Sequence, residues 1–167
     1  QGSLRSPVCH RLFGSSASTP GSPRTVASGS AHMKLLTHNL LKCNKKGVTN
    51  GFPLIIRAVT MKYEETPYEQ SFVSAMVPKL EYDALLKALG EIRDCSNFEG
   101  IEKLGKFPTL PLALPPDHEK NEEFLKQLHT VLFDLNLIEG QLVCPESGRV
   151  FPVNDGIPNM LLNDDEV

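Results

Sequence analysis

The segment that most constrains this fold is the closing stretch, residues 140–162, which reads G-Q-L-V-C-P-E-S-G-R-V-F-P-V-N-D-G-I-P-N-M-L-L. Two short apolar runs flank a Cys-Pro-x-x-Gly turn, the layout of a zinc knuckle. Ser147, however, stands where a Cys-x-x-Cys pair would place its second thiolate. A chain that closes in this way ends in a small hairpin. The flanking strands and the apolar tail at residues 157–162 are intact while the ligand set is depleted, which points to a surface kept for binding rather than for chemistry.

At 167 residues with 40% hydrophobic content, the chain can bury one ordinary core with a small lobe attached. No apolar run approaches the ~18 residues of a membrane span, and no short hydrophobic segment precedes a signal-cleavage pattern. The expectation is a soluble protein with no membrane partner. A net charge of -3 and a pI near 6.0 do not give the broad basic footprint of a protein that grips phosphate backbones unaided. RNA would be reached only through a partner. Cys9, Cys43, Cys95 and Cys144 follow no repeating interval, which suits reduced thiols inside a cell better than a disulfide framework.

Residues 1–33 are rich in Ser, Gly and Pro, contain Arg5, Arg11 and Arg24, and hold no acidic residue. Such a segment cannot bury enough surface to order itself. The run Gly29-Ser30-Ala31-His32-Met33 has the look of a cloning scar, with Met33 as a natural start, and a disordered tag is the favoured account. An Arg- and Ser-rich transit peptide competes with it.

Beyond residue 33 the expected organisation is α+β. A small antiparallel, zinc-knuckle-like sheet is drawn from residues 34–65 and 139–167, with a helical subdomain, residues 66–138, inserted between them. Ile55, Ile56 and Val59 suit a strand. Phe72, Met76 and Leu80 recur at helical spacing, and Leu85, Leu89 and Ile92 resume it after Pro78. Pro115-Pro116-Asp117 reads as a helix start. The helix expected there places Phe124, Leu128, Val131 and Leu135 on one face, widened by Leu125 and Leu132, and stops at Gly140.

Four separated blocks carry a resemblance: residues 33–41 with Cys43; Gly51-Phe52-Pro53-Leu54; the helix from Asn121 to His129; and residues 139–149 running on to residues 156–162. In order and spacing they resemble the eukaryotic multifunctional methyltransferase subunit, the small activator shared by tRNA, rRNA and release-factor methyltransferases. The resemblance implies a protein without a catalytic centre. It would act in cytoplasm and nucleus by forming heterodimers with class I S-adenosylmethionine-dependent enzymes, keeping them soluble and helping them hold the methyl donor.

Fungal members of that family bind zinc through four cysteines. Here Cys43 and Cys144 match as remnant positions, whereas Val48 and Ser147 occupy the other two. Two thiolates with a distant His38 do not complete a closed four-ligand site, so no cofactor or metal is expected, with a zinc site completed by a borrowed ligand such as His38 or Glu146 as the competing account. On this reading a sheet edge extends the partner's sheet. Phe52, Pro53, Leu54, Ile157, Pro158, Met160 and Leu161 supply apolar contact, and Asn39 and Asn159 supply polar anchors. Simple core packing competes for Phe52, Leu54 and Ile157.

The remaining features take plain readings. His129 is a packed or capping residue, Lys45, Lys46 and Arg149 are solvated charges, and Asp164-Asp165-Glu166 is a frayed tail. No phosphate loop, Ser-His-Asp set or carboxylate pair stands out, leaving no catalytic residues to name. Two rivals remain: a stand-alone zinc-ribbon-like RNA-binding module, and a small enzyme with Cys43 or Cys144 as nucleophile.

Overall fold

The computed structural model describes residues 32–166. Residues 1–31, most of the expected tag or leader, lie outside the described residues. Met33, expected as a natural start, opens the first strand. The elements run β1 (Met33–Lys34), α1 (Leu35–Leu40), β2 (Ile55–Tyr63), α2 (Gln70–Met76), α3 (Tyr82–Arg93), β3 (Asn97–Glu99), α4 (Ile101–Leu104), α5 (Glu122–His129), β4 (Leu135–Val143), β5 (Val150–Asn154) and β6 (Ile157–Pro158). A 3-10 turn follows α2, and a π turn (Thr130–Asp134) joins α5 to β4. Among the described residues no helix is long and apolar enough to cross a membrane.

One sheet organises the chain, in the order β3-β2-β4-β5-β6. The first half of β4 also pairs with β1, Met33 opposite Leu137, and its second half pairs with β5, Val143 opposite Val150. The α+β class and the joining of the two chain ends are therefore as expected. The sheet departs from a purely antiparallel one because β3, from the helical middle, adds to β2 in parallel. Alternation explains β4. Leu135 and Leu137 are buried before a register irregularity at Ile138, beyond which Leu142 is buried and Glu139 and Gln141 alternate outward to solvent, with Val143 covered again at the strand end.

Gly140 does not stop a helix, as the sequence reading had it. It sits within β4 opposite Ala58, and a Cβ there would lie 2.6 Å from the Arg57 carbonyl oxygen, so only glycine lets the two strands close. The register shifts between Ala58 and Thr60, and Val59, expected as a strand residue, bulges outward and is exposed. Leu135, read as the end of a helix face, belongs to the strand instead. Its spacing from Val131 matches a helical step only by coincidence.

Helix α5 begins later than the Pro-Pro-Asp signal implied. Asn121 Oδ1 accepts the Phe124 amide at 3.0 Å and caps the first turn, where Glu122 and Glu123 complement the exposed N–H groups. The Pro115 carbonyl instead closes a turn with His118. Phe124, Leu125, Leu128, Val131 and Leu132 are buried, and each contributes about 1.5–3 kcal/mol relative to exposure. The buried residues here are Val73 of α2 and Val77 of the 3-10 turn rather than Phe72, which is exposed and packs its ring 5.6 Å from that of Phe133.

Helix α3 buries Leu85, Leu89 and Ile92 and packs on β2. Its Glu91 carboxylate accepts the Ile56 amide at 2.6 Å, covering part of a strand edge that β3 is too short to reach. His38 closes the core beneath α1. Its Nε2–H donates to the Leu54 carbonyl at 2.7 Å, while buried Nδ1 has no partner among the described residues. Burial holds this imidazole below its ordinary value of 6.5, against the upward pull of the Leu54 carbonyl. The unfolded chain therefore binds more protons below that value, and stability present above it is lost as pH falls. The melting temperature should accordingly drop on acidification from about pH 7 to about pH 5, and His38→Gln, which keeps a donor but cannot titrate, should flatten that slope.

Candidate partner-binding surface

The remnant knuckle forms where the 43–51 loop meets the β4–β5 turn. The Cys144 amide donates to the Arg149 carbonyl at 2.8 Å and Gly148 N–H to the Cys144 carbonyl at 3.0 Å, with Gly148 at φ 67. The Ser147 amide points at Cys144 Sγ, 3.4 Å away. The 43–51 loop closes through the Cys43 amide on the Gly51 carbonyl at 2.9 Å. A Cβ at Gly51 would lie 2.6 Å from the Cys43 carbonyl oxygen, so that closure too requires glycine.

Cys43 and Cys144 are both buried and neighbour each other. Burial and the neighbouring Cys144 push the Cys43 thiol up. Burial also disfavours the Cys144 thiolate, but the Ser147 hydroxyl, the Ser147 and Glu146 amides and the Cys43 thiol outweigh it and leave Cys144 below its ordinary range. The donor set of two thiols, one hydroxyl and the isopropyl group of Val48 does not fit zinc. Among the described residues no group of three His, Cys, Asp or Glu could hold a metal ion.

Two carboxylates bridge the same loops. Glu146, in the second, accepts the Thr49 amide at 2.9 Å and the Asn50 amide of the first. Glu166 accepts Lys45 Nζ at 2.9 Å, Arg149 Nη2 at 3.1 Å and the Asn163 amide at 3.2 Å, while its carbonyl takes the Lys46 amide at 2.8 Å. The acidic terminus is therefore not frayed, and Lys45 and Arg149 are not simply solvated. Sequence reading missed this because an acidic run carries no sign of where it docks. Lys45 foremost holds the Glu166 carboxyl below its usual range, and the Asn50 amide does the same for Glu146.

Beside the knuckle lies an apolar ridge. Asp155 (φ 49) and Gly156 (φ 73) turn the chain between β5 and β6, the Asp-Gly signature of a tight hairpin. A Cβ on Gly156 would lie 2.5 Å from the His32 Cα, so the start of the described chain seats against this turn. β6 is an edge strand. On it Ile157 is 62% exposed, and Leu161 just beyond is 78% exposed. With Pro158, Asn159 and Met160 they line one shallow hollow. The Asn159 amide is bonded to the Pro152 carbonyl at 2.9 Å, and its Oδ1 takes the Leu161 amide at 3.1 Å, so this residue shapes the ridge.

Of the residues expected to meet a partner, Ile157, Pro158, Asn159, Met160 and Leu161 come together here, and Phe52 and Pro53 are half-buried near the knuckle. Asn39 and Leu54 must be removed from the set. Asn39 is 2% exposed and grips Glu81 through both amide atoms, each at 3.0 Å, ahead of α3. Leu54 is 1% exposed and packed in the core. Neither was distinguishable in sequence from its exposed neighbours.

His129 has partners that sequence separation concealed. Asp134 lies 3.6 Å from its Nδ1, and Thr66 Oγ1 lies 3.3 Å from its Nε2. The Thr66 hydroxyl is donated to Asp134 Oδ1 at 2.6 Å, as is the Thr66 amide at 2.9 Å. The carboxylate, not the imidazole, therefore takes the hydroxyl proton. This is the bonding of a lock between loop and π turn rather than of an activated nucleophile.

The profile of the Trm112p-like protein family matches residues 34–156. The chain is similar to the Arabidopsis thaliana multifunctional methyltransferase subunit TRM112 homolog A, at 46% identity over 81% of this chain and 100% of that one. It is also similar to the Mus musculus multifunctional methyltransferase subunit TRM112-like protein, at 42% identity over 80% of this chain and 98% of that one. A solved chain from the E. cuniculi Mtq2-Trm112 complex superimposes loosely, with TM-score 0.49 and 17% identity over 77% of this chain and 95% of that one.

The carboxylate bridges have a measurable signature. Glu146→Ala should lower hydrogen-exchange protection at Thr49 and Asn50, and Glu166→Ala should lower it at Asn163. Because both carboxyls are held below the ordinary 4.5, wild-type protection at these amides should persist above that pH and fade below it. Unchanged protection in both variants would remove these contacts from the account.

Proposed function

This chain belongs to the Trm112p-like family, and from that membership we propose that it is the non-catalytic activating and stabilising subunit of class I S-adenosylmethionine-dependent methyltransferases that modify tRNA, rRNA and translation release factor. The observation that carries the proposal is the exposed apolar ridge on edge strand β6, whose Ile157 and Leu161 have nothing of their own chain to cover them among the described residues. A regulatory subunit needs such a face and no reacting groups.

The physical logic is sheet and surface completion. An edge strand offers main-chain donors and acceptors that bind a partner's edge while asking little of its side chains, so one subunit can serve several related enzymes. The apolar ridge adds area at the same place. Covering an apolar flank on each protein keeps both in solution, and a stabilised enzyme holds its methyl donor without any contact from this chain. RNA is then reached through the catalytic partner, in keeping with a net charge of -3. The rival RNA-binding module needs metal and a basic face. The knuckle offers two thiols, and Lys45 and Arg149 are occupied by Glu166.

The subunit is also proposed to work without zinc. Where metal would join the two loops, Glu146 and Glu166 join them by hydrogen bonds and ion pairs. The cytoplasm and nucleus, where such enzymes meet their substrates, are its proposed locations.

Co-expression with class I methyltransferases tests the reading. The wild-type chain should raise enzyme solubility and methyl-donor binding. Ile157→Asp and Leu161→Asp should each weaken complex formation by about tenfold or more, roughly 1.4 kcal/mol, while the free subunit stays folded. Unaltered affinity in both would take the ridge out of the interface. The purified chain should contain far less than one zinc per molecule, and a strong chelator should leave its melting temperature unchanged. A stoichiometric metal would overturn that proposal.

A further inference from the structure

Away from the knuckle, a short strap crosses α3. It leaves α4 through Gly105 (φ 67, ψ -58), closed by the Lys106 amide on the Leu104 carbonyl at 2.7 Å. It is pinned at both ends. The Phe107 ring packs edge-on against Phe98 of β3 at 6.4 Å, and Tyr82 Oη donates to the Pro111 carbonyl at 2.7 Å. Between strap and helix lies a cavity of about 320 Å³ walled by Leu86, Leu89, Phe107 and Leu112, the last 91% exposed at its mouth. Arg93 and Lys106 also line it, and among the described residues neither forms an ion pair.

Gly90 forms part of the same lining. A glycine inside a helix weakens it relative to alanine, and here a Cβ would meet nothing within 4 Å. Among the described residues no contact requires this glycine. Its effect is to leave the helix backbone open to close approach from outside. The pinned strap also means that the cavity is already formed before anything enters it.

We propose that the cleft between α3 and the 105–111 strap is a second docking site, taking an acidic peptide segment of another protein that carries one large aliphatic side chain. The apolar walls and volume suit a leucine-sized group, and two cations without carboxylate partners suit the acids around it. The chain does not supply this occupant itself. Residues 1–31 hold three arginines and no acid, the same sign as the cleft, and the acidic end of the chain is tied to the knuckle through Glu166. The cleft adjoins β3, and the ridge lies on β6, at opposite ends of the sheet order, so both sites can be filled together.

The test is fluorescence anisotropy of a labelled peptide of Glu and Asp with one central Leu, titrated with the full chain and with its methyltransferase heterodimer. Saturable, salt-sensitive binding to both is expected. It should weaken about tenfold or more when the peptide Leu becomes Ala, when Gly90→Leu plugs the cleft, and when Arg93→Glu is combined with Lys106→Glu. In the free chain, Ile157→Asp, on the far edge of the sheet, should leave it unchanged. Circular dichroism checks that the variants fold, and the exposed Arg93→Glu/Lys106→Glu pair decides the matter if Gly90→Leu does not. Absence of saturable binding, equal affinity for the Ala peptide, or undiminished binding by the charge-reversed protein would overturn the proposal. So would an RNA oligonucleotide that binds through Arg93 and Lys106 where the peptide does not, or self-association that Gly90→Leu abolishes.

Discussion

The pairing of β2 with β4 is the constraint on which the rest of this molecule depends. It brings the 43–63 region against the 135–154 region, and so places Cys43 by Cys144, the 43–51 loop by the β4–β5 turn, and α3 on the back of β2. The pairing is specific because of Gly140, which lets Arg57 and Ala58 approach where any side chain would collide, and because of the bulge at Val59 beside it. Register set at that point carries through to the knuckle at one end, while a second shift between Thr60 and Met61 resets it before Tyr63 meets Leu135 at the other.

On the proposal that this subunit works without zinc, its two loops illustrate how a metal's role can be divided. A zinc ion bound by four thiolates ties two loops together at one point. Here the tie is spread over two carboxylates, one in the β4–β5 turn and one in the segment beyond β6, reaching three backbone amides and two cations. Glu146 is exposed and Glu166 buried, and the two thiols are buried in the same pair of loops. The arrangement exchanges a few strong bonds for many weak ones, and it leaves the local turn geometry, including the Ser147 amide aimed at Cys144 Sγ, as a ligand-bearing turn would have it.

Much of this was legible in the sequence, for identifiable reasons. Residues 140–162 declare a strand, a Cys-Pro turn and a second strand because alternation and turn residues coincide there, and Asp155-Gly156 marks a further hairpin. The apolar ridge could be located because its residues are contiguous. What escaped was whatever depends on distant partners. Asn39 and Ile157 look equally available in sequence, yet one is locked to Glu81 and the other is bare. His129 seemed isolated because Thr66 is far away along the chain. The helix boundary at His129 was lost because Leu135 fits a helical step as well as a strand alternation, and only the approach of β2 decides between them.

The topology also fixes when this protein can come into being. Strand β2 is made early, yet its long partner β4 lies beyond the whole helical section, so the central ladder cannot begin until the ribosome has delivered most of the polypeptide. Through that interval β2 stands as a greasy, half-satisfied ribbon at the exit of the translation machinery. Because Glu166 fastens the 43–51 loop, the acidic segment beyond β6 completes a structure that β2 begins, and a nascent chain stopped before β4 holds β2 only through its short pairing with β3.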